Sequence, residues 1–197
     1  MEQSAFEKLR ELFHHISPIA ETDWQIVKPH LRLASFKKGD VFIKEGQYCT
    51  QLGFLFKGIA RVYYVIDGKE ITSYFNTINR NVFVCAFTSF LGKKASFETV
   101  HFLEDTELLL LNYESLQKIY DQSPAIQKIG RLLAESNYVL SMERIYSLQH
   151  ASAIDRYNNM LSIYAGLLNQ VPHHYVASYL GITPESLSRI RKKALNK

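Results

Sequence analysis

Cysteine is scarce in this chain, which has only Cys49 and Cys85 in 197 residues. The two stand far apart and form no Cys-x-x-Cys pair, which excludes a disulfide framework and a four-cysteine cluster within one chain. They fit free thiols in a reducing compartment. Long apolar runs are missing too, the longest strongly apolar stretch being Leu108–Leu111, far too short to span a bilayer. The N-terminus, Met1-Glu2-Gln3-Ser4, is acidic and polar where a targeting segment would be basic and apolar. A cytoplasmic protein with no membrane partner is expected. Catalytic signatures are equally wanting, with no nucleophile elbow, no phosphate-cradling glycine loop and no Cys-His arrangement. A metal site needs clustered ligands, and His101 alone is available across the β-rich segment. His14-His15 and His173-His174 are neighbours on predicted helices, so the members of each pair point apart. Neither a metal nor a cofactor is expected, and the chain does not read as an enzyme.

What is present is unevenly placed. The net charge is only +4, but residues 1–150 carry 17 Lys and Arg against 17 Asp and Glu, whereas residues 151–197 carry 6 against 2. The whole positive excess therefore lies in the C-terminal segment. A field concentrated on one small unit steers a polyanion toward that face and makes binding strongly salt dependent.

That segment has the pattern of a DNA-binding helix-turn-helix. Two helices crossing over a short turn need a small residue where they touch and one tolerating positive φ at the bend. Ala177 and Gly181 supply these, and Val176, Leu180, Ile182, Leu187 and Ile190 fall where each helix must face inward. Thr183 is an N-cap, followed by Pro184, whose missing N–H costs nothing at that position. The outward face of the second helix carries Glu185, Ser188, Arg189 and Lys192 at offsets of three, four and seven, flanked by Ser186, Arg191 and Lys193. These groups suit double-stranded DNA, since arginine pairs with guanine, an acid accepts from cytosine and lysine neutralises phosphate. The competing reading is a structural helical hairpin with a solvated basic face.

Ahead of the motif, Phe6, Leu9, Leu12, Phe13 and Ile16 form a helical stripe over Ser4–Ile16, and Thr22-Asp-Trp-Gln25 reads as a capping box opening a second short helix. From Phe36 to about Leu111, short Val-, Ile-, Phe- and Tyr-rich runs alternate with glycine, as roughly eight β-strands would. Asp67-Gly68, between Ala60–Ile66 and Glu70–Phe75, is the clearest hairpin turn. Helix returns at Asn112, which can cap Tyr113–Tyr120, and at Ser123-Pro124, opening a helix to about His150. Along it Ile126, Leu133 and Leu140 recur every seven residues, and Ile129, Leu132, Val139, Met142 and Ile145 widen the stripe. So wide a stripe can face both its own barrel and the same helix of a second subunit; the alternative is packing within one chain. Another amphipathic helix, starting at Ser152, leads into the motif.

Taken in order, these pieces resemble the cyclic-AMP receptor protein (Crp–Fnr) family of bacterial transcription regulators. The resemblance runs through Phe36-Lys-Lys-Gly-Asp-Val-Phe-Ile-Lys-Glu-Gly46, Phe56-Lys-Gly-Ile-Ala-Arg-Val62, Leu103-Glu-Asp-Thr-Glu-Leu108 and Leu180-Gly-Ile-Thr-Pro-Glu-Ser-Leu-Ser-Arg189. It implies an α+β chain with an N-terminal double-stranded β-roll, cyclic-nucleotide-binding-like or cupin-like jelly roll, with flanking helices over residues 1–121. A long dimerisation helix over 122–150, using Ile126, Ile129, Leu133 and Leu140, and a C-terminal helix-turn-helix over 151–197 would follow. A homodimer on a palindromic operator is implied, with RNA polymerase as a further partner. Glu185 and Arg189 match the family's base-reading glutamate and arginine, while Pro184 stands where an arginine is usual, so the operator should differ from the best-known one. The sequence stops soon after the recognition helix, and no C-terminal wing hairpin is expected.

The effector site departs further. The family's Gly-Glu and Arg-Ser or Arg-Thr pairs fall at Cys85-Ala86 and Ser96-Phe97, anchored on Phe83 and Glu104-Asp105. A buried phosphate would lack its charge-assisted partners, a loss of several kcal/mol by typical magnitudes, so cyclic AMP is not the expected ligand. An unknown small-molecule effector in an apolar pocket, with Phe83, Cys85, Ala86, Phe87, Ser96 and Phe97 around it, competes with these phenylalanines being plain core. The rivals to a regulator are a metal-dependent cupin-type enzyme, which the missing ligand cluster opposes, and a sensing or interaction module that no longer binds DNA specifically.

Overall fold

The computed structural model describes residues 2–195. Helix α1 (Glu2–Ile16) buries Leu9 and Phe13 in the main core and rests Phe6, Leu12 and Ile16 against it. Helix α2 (Glu21–Val27) starts earlier than the expected box: its N-cap is Ala20, and Thr22 lies inside the first turn. Asp23 explains the difference, because its carboxylate accepts the Ala20 N–H (3.0 Å) and also the Ser123 hydroxyl (2.6 Å). A side chain three residues past Ala20 outcompetes Gln25 for the cap and ties two helix starts together.

Eight strands follow: β1 (Arg32–Phe36), β2 (Val41–Ile43), β3 (Gln51–Lys57), β4 (Ile59–Ile66), β5 (Lys69–Thr77), β6 (Phe83–Val84), β7 (Thr99–Phe102) and β8 (Thr106–Asn112). They pair antiparallel into two four-stranded sheets, β1-β8-β3-β6 and β2-β7-β4-β5, which form a β-roll. The β4–β5 hairpin turns at Asp67 (φ 50°) and Gly68 (φ 74°), with Ile66 opposite Lys69, the geometry a two-residue type I′ turn requires. A bulge between Val62 and Tyr63 of this pair sets Ser73 out of register. All four leucines of Leu108–Leu111 are buried because β8 lies inside its sheet and both its faces are covered. Leu109 and Leu111 face the helices, bordering a small apolar cavity of about 60 Å³ together with Leu9, Leu116 and Ile129.

Helix α3 (Phe87–Gly92) interrupts the strands. Asn112 caps α4 (Tyr113–Gln122) by accepting the Ser115 N–H at 2.7 Å, and Ser123 caps α5 (Pro124–His150) by accepting that of Ile126 at 3.2 Å. Ser152 does the same for α6 (Ala153–Ile163). After a 3-10 turn at Leu167–Asn169 come α7 (His173–Leu180) and α8 (Pro184–Leu195). A second core joins Tyr157, Met160, Tyr164, Leu167, Val176, Leu180 and Leu187 of these helices to Ile59, Phe75 and Leu103 of the roll. The C-terminal helices thus sit on the sheet that carries β4 and β5. Ser178 fixes the contact by donating to the Glu70 carbonyl and accepting the Thr72 N–H, each at 2.9 Å, and Tyr164 donates to the Phe75 carbonyl at 3.2 Å. Among the described residues no helix is long and apolar enough to cross a membrane.

Candidate nucleic-acid interface and effector roll

Helices α7 and α8 are joined by three residues. Gly181 holds the left-handed conformation (φ 65°), and the N–H groups of Gly181 and Ile182 return to the carbonyls of Ser178 and Ala177, a Schellman closure that a residue with a Cβ would strain. Val176, Ala177, Leu180 and Leu187 are fully or almost fully buried, as the spacing required. Thr183 accepts the Ser186 N–H at 3.2 Å and so caps α8. The last carbonyls of α7 also find partners: Arg144, stacked 3.9 Å over Tyr179, donates to the Tyr179 carbonyl, and Arg156 donates to that of Leu180 at 2.9 Å. Burial lowers the Arg144 pKa. Sequence reasoning missed these two arginines, since nothing local marks a guanidinium that caps a helix 24 or 35 residues away.

The outward face of α8 is as expected at most positions. Thr183, Glu185, Ser188, Arg189, Lys192 and Lys193 are exposed. Ser186 is half-buried, and its hydroxyl accepts from Arg189 (3.2 Å) and bonds with Thr183 (3.2 Å), so it orients the arginine. A hydrogen bond from Thr183, its own backbone N–H in the first turn and the charge of Arg189 hold the Glu185 carboxyl below its ordinary range. Arg191 is a correction: it is half-buried and turned back onto the His173 ring of α7, so it braces the helix pair and does not project with the others.

The long helix α5 also corrects the sequence reading. Ile126 and Ile129 lie in the roll's own core, Leu133 packs against it, and Leu140 is half-buried on the same side. The sevenfold recurrence thus meets the chain's own roll at Ile126 and Leu133. The opposite face beyond residue 135 leaves Tyr138, Val139, Met142, Ile145 and Tyr146 exposed by 47–67%. Val139, Met142, Tyr146 and Gln149 follow the 3-4 spacing of a coiled-coil seam. Tyr138 and Tyr146 went unnoticed in the sequence because tyrosine suits either a surface or an interface.

In the roll, the six residues named for an effector pocket do not converge. Cys85 and Ala86 are core, Phe87 packs on that core, Ser96 is buried with its hydroxyl given to the Glu98 carbonyl (2.7 Å), and Phe97 points out against Tyr64. Phe83 alone borders the apolar cavity, which is far smaller than a nucleotide. Glu98, two residues beyond Ser96, is a buried acid bonded to the Ser73 hydroxyl (3.3 Å), and burial pushes its pKa up. Cys49 and Cys85, separated by 36 residues, lie with sulfurs 3.7 Å apart. His101 sits between Tyr63 and Tyr175, its pKa lowered by burial and by Arg61. Arg61 itself is fully buried, paired with Glu70 at 2.5 Å, bonded to Thr72 at 2.9 Å and stacked 3.7 Å from the Tyr175 ring centre. Among the described residues no group of three His, Cys, Asp or Glu is placed to hold a metal.

A roll of this topology, followed by a long helix and a C-terminal helical unit, is the fold of the Crp–Fnr transcription regulators. Residues 33–123 match the family model of the cyclic nucleotide-binding domain. Similar solved structures include the c-di-GMP responsive global regulator CLP of Xanthomonas campestris, with 15% identity, TM-score 0.70 and coverage of 90% of this chain and 92% of that one. FixK2 of Bradyrhizobium japonicum shows 16% identity, TM-score 0.70 and coverage of 84% and 85%. The catabolite activator protein of Thermus thermophilus shows 20% identity, TM-score 0.55 and coverage of 92% and 86%. No curated protein matches the sequence.

Proposed function

We propose that this chain is a DNA-binding transcription regulator of the Crp–Fnr type, acting in the cytoplasm as a homodimer on a palindromic operator and without cyclic AMP. Residues 1–121 form the effector domain, 122–150 the dimerisation helix and 151–197 the DNA-binding unit. The observation that carries this reading is the exposed face of Glu185, Ser188, Arg189 and Lys192 on a helix capped by Thr183 and anchored through Leu187. Its short polar and long cationic groups fit a major groove and its phosphates. The roll speaks against cyclic AMP as the effector, because Ser96-Phe97 stand where the resemblance places the phosphate-binding Arg-Ser pair, with the buried acid Glu98 next to them. RNA polymerase is the further partner a regulator of this kind would meet.

The seam on α5 makes the dimer testable. In Met142→Glu, two carboxylates would face each other at the middle of the helix pair, with the residue already 47% exposed in the single chain. Sedimentation at micromolar concentration is expected to show a dimer for the parent and a monomer for the variant, with unchanged far-UV circular dichroism. DNA affinity should fall at least about 100-fold as the two half-sites uncouple. A parent that sediments as a monomer, or a variant that stays dimeric, contradicts the assignment of this face.

A further inference from the structure

We propose that Cys49 and Cys85 form a peroxide-oxidisable dithiol that closes to an intrachain disulfide beside helix α3. Their sulfurs are 3.7 Å apart, so closing to bonded distance takes about 1.7 Å. Neither residue lies in a regular element, for Cys49 precedes β3 and Cys85 lies between β6 and the Ala86 cap of α3. Two connecting segments can take up the movement without breaking a ladder.

The two sulfurs are not equivalent. Cys49 keeps 7% exposure and Cys85 none, so Cys49 is the side a small oxidant reaches. The Cys85 thiol beside it lowers the Cys49 pKa to about 7 against the effect of burial, whereas burial drives Cys85 far up. The thiolate is the nucleophile in such chemistry, and Cys49 is the one ionised near neutrality. Its sulfur attacks one peroxide oxygen; an S–O bond forms, the O–O bond breaks and hydroxide leaves to become water. The sulfur is oxidised by two electrons and the peroxide reduced by two, giving a sulfenic acid at Cys49. The Cys85 sulfur then attacks that of Cys49, the S–S bond forms, the S–O bond breaks, and the Cys85 proton joins the departing hydroxyl as water.

The pair is wired into both parts of the chain. Ser89 accepts the Cys49 N–H (2.9 Å) and donates to the Lys94 carbonyl (2.5 Å), which fastens α3 to it. Tyr74 donates to the Cys85 carbonyl (3.3 Å), and the next residue, Phe75, packs on Tyr164 and Tyr179 of the C-terminal helices. Closing the bond therefore displaces a segment that touches β5 one residue from the contact between the roll and those helices.

The test uses the full chain, reduced and then treated near neutral pH with about a tenfold excess of hydrogen peroxide. Thiol titration after denaturation is expected to fall from two per chain to none, with an intact mass lower by about 2 Da. Peptide mapping should join residues 49 and 85, and dithiothreitol should restore both thiols. Cys85→Ser should stop at a sulfenic acid on residue 49 that dimedone traps, and Cys49→Ser should keep its remaining thiol reduced. Two thiols persisting in the treated parent, bridges only between separate chains, or Cys49→Ser losing its thiol at the parental rate would overturn the proposal. These readouts are covalent and stand whether or not the chain binds DNA.

Discussion

Under the proposed function, Arg189→Ala is expected to abolish most sequence-specific DNA binding while leaving the fold intact. The guanidinium is exposed and among the described residues makes one hydrogen bond, to the Ser186 hydroxyl, so its removal should change stability by no more than about 0.5 kcal/mol. A bidentate arginine–guanine contact contributes about 1–3 kcal/mol, and a two-fold dimer makes it twice, so the loss at the operator is about 2–6 kcal/mol, at least about 30-fold. Fluorescence anisotropy on operator and scrambled duplexes separates this effect from a general one. Lys192→Ala should weaken both duplexes alike and flatten the salt dependence, as the loss of a phosphate contact does. Equal losses on both duplexes for Arg189→Ala would demote the residue to a phosphate contact.

Gly58→Ala should be the most damaging small substitution in the roll. Gly58 joins β3 to β4 with φ +102°, and an added Cβ would lie 2.8 Å from the backbone Cα of Thr106. Thr106 cannot yield, being buried, hydrogen-bonded to the Glu104 carbonyl at 2.9 Å and paired with Phe36 of β1. Backbone strain and overpacking together cost about 3 kcal/mol or more, lowering the melting temperature by about 6–12 °C for a chain of this size. Gly68→Ala is the control: its φ is also positive, but nothing lies within 4 Å of its added Cβ, so only conformational strain of about 1 kcal/mol applies. Calorimetry showing equal shifts for the two variants would contradict the close approach at Thr106.

The features that could be read from the sequence are those whose physics is local. The Asp67-Gly68 turn and the caps at Asn112, Ser123, Ser152 and Thr183 each involve residues within a few positions of one another, and the structure shows all of them. The roll's eight strands and the buried face of α7 followed from periodicity. Long-range pairing was out of reach. Cys49 and Cys85 look remote along the chain and touch in space, and Arg61 gives no local sign of lying under Tyr175. The spacing on α5 marks an apolar stripe wide enough for two partners but does not say which residues meet which, and Ile126 and Ile129, which the family resemblance places on the dimerisation helix, belong to the roll's core. Thr22 and Arg191 were misplaced because a neighbouring carboxylate and a histidine ring compete for the same cap and the same guanidinium.

Selection of binding sites from a random double-stranded DNA pool by the purified chain decides whether the exposed face of α8 reads base sequence. A regulator with two recognition helices related by a two-fold axis should enrich an inverted repeat whose half-sites lie about 34 Å apart, one turn of the duplex, or a multiple of it. Pools that show no enriched sequence at any moderate salt concentration, with the protein dimeric and folded, would contradict the account and leave the exposed face of α8 as a solvated surface.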